Sequence, residues 1–144
     1  ANDANSYWMV KPAAGGKCGQ GEALANGAQF RLQHLQTRKW LHSHNHQSPI
    51  SQNQEVSAFG GEEESNEGDN WKIELSAGDT EWRRDKKGGL VHTVTKGMLH
   101  SHQHKSGRPI AGQFEVCGSK SRDQNNFWLA AEGIYLPAVG SDEL

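Results

Sequence analysis

The sequence contains no long apolar run. Nothing in its 144 residues approaches the ~20 consecutive apolar residues that a helix needs to cross a bilayer, so no membrane insertion is expected of this stretch. There is no surplus of either charge: 15 Lys and Arg face 17 Asp and Glu, for a net charge of −2. That leaves no basic field for nucleic acid, whose binding begins with neutralised phosphates. Charge is only local. Glu62-Glu63-Glu64 and Arg83-Arg84-Asp85-Lys86-Lys87 both read as solvated turns. Hydrophobic residues are scarce at 33%, while glycines number 17. So thin a supply, divided among short segments, suits small strands with Gly-rich turns rather than a helical bundle. No window sustains a 3.6-residue apolar period, so almost no helix is predicted. Asn-x-Ser/Thr acceptors are missing, and N-glycosylation is not expected. Only two cysteines occur, Cys18 and Cys117. They fit one disulfide, Cys18–Cys117, and fit two separate thiols equally well, because spacing does not give connectivity.

What the chain has instead is an internal repeat. Leu41 to Val56 reads LHSHNHQSPISQNQEV, and Leu99 to Val116 reads LHSHQHKSGRPIAGQFEV. Leu41, His42, Ser43, His44, His46 and Ser48 recur as Leu99, His100, Ser101, His102, His104 and Ser106. After a two-residue insertion, Pro49, Ile50, Glu55 and Val56 recur as Pro109, Ile110, Glu115 and Val116. Upstream, Leu32, His34 and Thr37 match Leu90, His92 and Thr95. Each copy closes on a tryptophan after asparagine, at Asn70-Trp71 and at Asn125-Asn126-Phe127-Trp128. Asn5-Ser6-Tyr7-Trp8 echoes the same closing strand. The chain therefore reads as opening at the end of a first repeat whose body is missing. A cysteine in that missing part is a third possible partner for Cys18 or Cys117. A period of this kind is settled before any local assignment is made.

The division that follows is a closing strand at 1–12, a Gly- and Ala-rich loop at 13–27, a second repeat at 28–75 and a third at 76–136. Residues 137–144 form a tail, and all belong to one domain. Gln29 to His34 alternates, with Phe30 and Leu32 on one face, as a half-buried strand does. Lys39 to His44 is the next strand, with Leu41 opposite His42 and His44. Gln47 to Gln54 is a polar turn, Glu55 to Phe59 a short strand, and Gly60 to Asp69 an acidic loop. The last four residues, Ser141, Asp142, Glu143 and Leu144, form a variant of the KDEL retention signal.

These features resemble a known family. SYWMVKP at 6–12, LHSH at 41–44, NQEVSAFG at 53–60, RPIAGQFEV at 108–116 and QNNFWLAAEGIYL at 124–136 are similar to MIR domains. More closely they resemble the stromal cell-derived factor 2 family of endoplasmic-reticulum (ER) proteins. The resemblance implies an all-β trefoil of MIR repeats, here with the first repeat largely missing. It also implies a lumenal, non-enzymatic partner of chaperones that assists folding and quality control. The partners implied are an ER J-domain co-chaperone, a BiP-type chaperone and unfolded clients, with no cofactor.

The imidazoles are the main chemical signal. His42, His44 and His46 alternate along one strand and share a face, and His100, His102 and His104 repeat the pattern. Three imidazoles on one face suit Zn²⁺ or Cu²⁺. The competing reading, taken here, has no metal and places the histidines on a polar outer surface opposite the buried leucines. Catalysis finds no support, because a triad needs one nucleophile oriented by one base and here each Ser-His pair is duplicated. His42, His44, His100, His102, Asn70 and Asn126 form the candidate binding surface. Asn70 and Asn126, beside Trp71 and Trp128, have the composition of a glycan platform. A glycan-binding module reading mannose-type chains on clients is therefore the alternative function. The tryptophans read as core, since Trp is highly buried on average.

Overall fold

The structure, a computed structural model, describes residues 6–17, 22–48, 51–83, 86–105, 114–121 and 126–129, with backbone alone at 102–105 and 114–115. Among them the chain is all-β. Strand β1 is Trp8–Pro12, β2 Leu24–Ala25, β3 Gln29–His34, β4 Trp40–Gln47, β5 Gln54–Phe59 and β6 Trp71–Leu75. Then come β7 Glu81–Trp82, β8 Lys87–His92, β9 Met98–Lys105, β10 Phe114–Ser119 and β11 Phe127–Leu129. A 3₁₀ turn, Glu67–Asp69, precedes β6.

The pairing repeats with the sequence. β3 pairs with β6, setting Phe30 against Trp71. β8 pairs with β11, setting Gly88 against Trp128. β4 and β5 form one hairpin, β9 and β10 the other, and β5 joins β10. β1 lies on β3 with Trp8 opposite His34, as β6 lies on β8 with Trp71 opposite His92. Following neighbours from β3 through β4, β5, β10, β9, β8 and β6 returns to β3, so the sheet closes on itself. This is a β-trefoil-like arrangement, with the hairpins capping a small barrel. β1 and β11 lie at the ends of the described strand order.

The hairpin turns explain why His34 and His92 recur. In each, a Thr three residues on approaches the imidazole: Thr37 Oγ1 is 2.9 Å from His34 Nδ1, and Thr95 Oγ1 is 3.1 Å from His92 Nδ1. The next residue must enter the left-handed region to bring the chain back. Arg38 does so at φ 63 and Lys96 at φ 67. A Cβ makes that conformation unfavourable, and the bonded imidazole and hydroxyl hold it.

The buried centre is Phe30, Trp71, Ile73, Leu75, Leu90 and Leu99, with Leu24, Leu32, Leu41, Val56, Trp82 and Trp128 packed around it. Two tryptophans fasten it to the hairpins. Trp71 Nε1 donates to the Leu41 carbonyl at 3.0 Å, and Trp128 Nε1 to the Leu99 carbonyl at 2.9 Å.

The structure corrects the outward placement of the imidazoles. His42, His92 and His100 are buried, as is Gln33. Alternation placed His42 and His44 on one face correctly, but that face turns inward at His42 and emerges only near His46. The 13–27 loop also contains β2, which pairs with β7 through Leu24 and Trp82. The acidic loop is organised by its 3₁₀ turn, where Asn66 and Asp69 form a reciprocal capping box.

Trp71→Phe would keep most of the ring and remove the indole N–H, leaving the Leu41 carbonyl without that donor. Urea unfolding should show a loss of roughly 1–3 kcal/mol. Trp128→Phe, at a half-buried ring, should lose less. Unchanged midpoints would show that the indole bond does not fasten the repeat.

Candidate functional site

The predicted site residues separate into an interior set and a rim. The interior set is built from two sister pairs. His42 Nδ1–H donates to Asp69 Oδ1 at 2.8 Å. His100 Nδ1–H donates to Asn126 Oδ1 at 2.6 Å. Asp69 and Asn126 each stand two residues before the closing tryptophan. Both are fully buried.

The choice of Asp in one repeat and Asn in the other follows from what faces the second atom. Asp69 Oδ2 accepts from Ser65 Oγ at 2.8 Å and from the Asn66 backbone N–H at 3.0 Å. Two donors there require an oxygen. In the sister site the Asn126 amide N–H₂ donates to the Ser121 carbonyl, an acceptor that a carboxylate could not satisfy. The neighbourhood is close-packed. The His42 ring stacks on Phe59 at 4.5 Å, and a Cβ at Gly68 would lie 2.4 Å from its Cε1.

His92 is also internal. Its Nε2–H donates to the Gly68 carbonyl at 2.7 Å, and its Nδ1 accepts from the Thr95 N–H at 3.1 Å. The ring meets Trp71 edge-on at 4.9 Å. Desolvation by burial lowers its pKa, and nearby His42 and His44 add to this, against the Gly68 hydrogen bond and Asp69, which raise it. Arg31 lies beside this network. Its guanidinium stacks on Trp40 at 4.1 Å and donates to the Pro12 carbonyl and to Ser65 Oγ. Burial lowers its pKa, and Asp69 partly restores it.

The rim holds His44 and His46. His44 Nε2–H donates to Glu55 Oε1 at 2.7 Å with both groups part-exposed, and its ring lies 4.5 Å from that of His46. Ser43 Oγ donates to the Glu55 carbonyl rather than to an imidazole. The alternating imidazoles are therefore neighbours, but His42 and His44 are each already bonded to a carboxylate. Asn70 Oδ1 accepts from the Ala14 N–H at 2.9 Å. The candidate surface thus keeps His44, while His42, His100 and Asn126 belong to the interior. The side chains of His102 and His104, the Cys18 half of the disulfide question and Ser141–Leu144 lie outside the described residues. Asp69, Gln33, Ser65 and Arg31 were not anticipated. The one available signal was that Asp69 and Asn126 share a position before Trp.

A family profile described as MIR domain matches residues 1–130. The chain belongs to the MIR-domain family. The stromal cell-derived factor 2-like protein of Arabidopsis thaliana is 52% identical over 135 residues, covering 94% of this chain and 62% of that protein. A crystal structure of the Arabidopsis thaliana protein aligns with a TM-score of 0.88, covering 94% of this MIR chain and 75% of the other at 52% identity. A protein O-mannosyltransferase complex of S. cerevisiae, bound to its sugar donor, aligns with a TM-score of 0.78 and 28% identity, covering 90% of this chain and 19% of the other. This MIR chain spans less than two thirds of the length of the curated relatives it matches.

Exchanging the sister groups tests the acceptor–donor logic. Asp69→Asn would turn an amide toward the Ser65 and Asn66 donors or toward His42. Asn126→Asp would set an oxygen against the Ser121 carbonyl. Each should lower stability by roughly 1–3 kcal/mol in urea unfolding, and neutrality of both would refute it.

The pH dependence has a definite sign. Below the ordinary histidine value of 6.5, the unfolded chain binds a proton that folded His92 still refuses. The His92 contribution is therefore whole above 6.5 and declines as pH falls through the window below it. Unfolding midpoints measured from about pH 7.5 to about pH 5.5 should drop, and the drop should shrink in His92→Gln. An identical slope in that variant would assign the effect to other groups.

Proposed function

We propose that this MIR protein is a non-enzymatic component of the ER lumen that assists protein folding and quality control. Its partners in this reading are a J-domain co-chaperone, a BiP-type chaperone and unfolded clients. The observation that carries the reading is the duplication of its polar centre. His42 with Asp69 and His100 with Asn126 make one structural bond in two repeats, and one of them needs no carboxylate. A reactive site rests on a unique constellation, whereas a scaffold reuses its joints. The likeness to a stromal cell-derived factor 2-like protein over 94% of the chain supports the choice of chaperone partners. The C-terminal Ser141-Asp142-Glu143-Leu144 supports the compartment.

The likeness to the mannosyltransferase complex favours a second reading, a glycan-binding module for mannose-type chains. Its platform would not be the Asn-Trp pairs as a unit, because Asn126 and Trp71 are fully buried.

Affinity capture of the full-length protein from ER lumen should recover the J-domain and BiP-type chaperones. Deleting Ser141 to Leu144 should divert the protein to the medium. Glycan-array binding with no chaperone recovered would replace the first reading by the second.

A further inference from the structure

The internal repeat is its own control: what both copies share is scaffold, and what one copy alone has calls for another explanation. The end of the β4–β5 hairpin is such a place. Five carboxamides gather there, Asn45, Gln47, Gln52, Asn53 and Gln54, around an open cavity of about 230 Å³. His46, Gly118 of β10 and Lys120 complete the lining, with the Lys120 ammonium tied to the Thr95 carbonyl at 2.6 Å. In the third repeat the sequence places Lys105, Gly112 and Phe114 where the second has Gln47, Gln52 and Gln54.

Two features show that this end is not optimised for folding alone. Gln52 sits in the left-handed region at φ 62, where its counterpart is the permissive glycine. A polar side chain is thus kept in a conformation that favours glycine. Gln54 is incompletely bonded. Its Oε1 is buried with no partner among the described residues, and its Nε2 reaches Asn45 Oδ1 only at 3.4 Å. The oxygen rests against Gly97 and Gly118, where a Cβ would stand 2.6 Å and 3.5 Å from it. A terminal amide torsion is soft, so rotation turns this carbonyl toward the cavity.

The geometry points to a binding site for the backbone amides of an extended peptide segment, at the junction of the second and third repeats. A carboxamide offers one donor group and one acceptor, as a peptide unit does, so the two pair in both directions. Among the described residues no Trp, Tyr or Phe lines the cavity, and its one ring is the smaller imidazole of His46, so a sugar finds no broad apolar face to stack on. One tethered lysine is a poor match to a phosphate. The inference deepens the reading above by giving it a client-facing site. It is tested on the pocket itself, whether or not chaperone partners are recovered.

The test is an NMR titration of the full-length protein with the unstructured peptide acetyl-Gly-Asn-Gly-Asn-Gly-amide, and separately with methyl α-mannoside. The peptide should shift the signals of Gln54, Asn45 and Gly118 saturably. Gln54→Leu and Gln52→Gly should each weaken binding by about tenfold or more. Gln52→Gly relieves the backbone, so its melting temperature should be unchanged or higher, which separates lost binding from lost fold. No saturable shift, shifts with the mannoside alone, or full affinity in both variants would overturn the proposal.

Discussion

Each described repeat is fastened by two hydrogen bonds that leave adjacent residues of one strand and reach residues two apart on the closing segment. The Leu41 carbonyl takes the Trp71 indole proton, and His42 gives its Nδ1 proton to Asp69. Leu99 with Trp128 and His100 with Asn126 do the same. A chain that is 33% hydrophobic has little apolar area for its length, and apolar burial has no direction of its own. These bonds supply direction. A one-residue slip of β4 would turn its inward face outward and break both bonds together. The register of the hairpin against the barrel is therefore set by polar atoms, while the apolar centre supplies the driving force.

The same constraint explains where the two repeats agree and differ. Groups on the clasp are invariant or exchanged only where the local acceptor count demands it, as with Asp69 and Asn126. Groups at the hairpin end are released from it. Beyond His44, β4 runs into solvent at Asn45, His46 and Gln47, and there Gln47 gives way to Lys105 in the other copy while His46 is kept as His104.

Much of this was legible in the sequence. The LHSH copies and the closing tryptophans placed the strands, and the resemblance to MIR domains implied the trefoil. The burial of the imidazoles was not legible. Alternation shows which residues share a face, but which face lies inside is normally read from hydrophobicity, and histidine reads as outside. The partners that make burial tolerable, Asp69 for His42 and Asn126 for His100, are 27 and 26 residues away, joined only by the fold. Gln33 was missed for a different reason: alternation puts it on the face opposite Phe30 and Leu32, and the Arg38 carbonyl that satisfies its amide is a backbone group that no side-chain pattern marks. The 47–54 turn was legible as exposed polar surface, but the cavity was not, because Gly118 and Lys120 join it only through the fold.

The saturation of the interior bears on function as well as on stability. A group that does chemistry must keep a proton or lone pair available and must be reached by what it acts on. His92 has both ring nitrogens bonded, Asp69 has three donors, and Asn126 is bonded through its oxygen and its amide nitrogen. A buried network satisfied to this degree is rigid and chemically quiet. Rigidity at the centre is what allows a hairpin end, displayed on the outside, to hold a strained Gln52 and an under-bonded Gln54 in place. Recognition at the rim and silence in the interior are thus two consequences of one arrangement, the closing of each repeat by the pairs around Trp71 and Trp128.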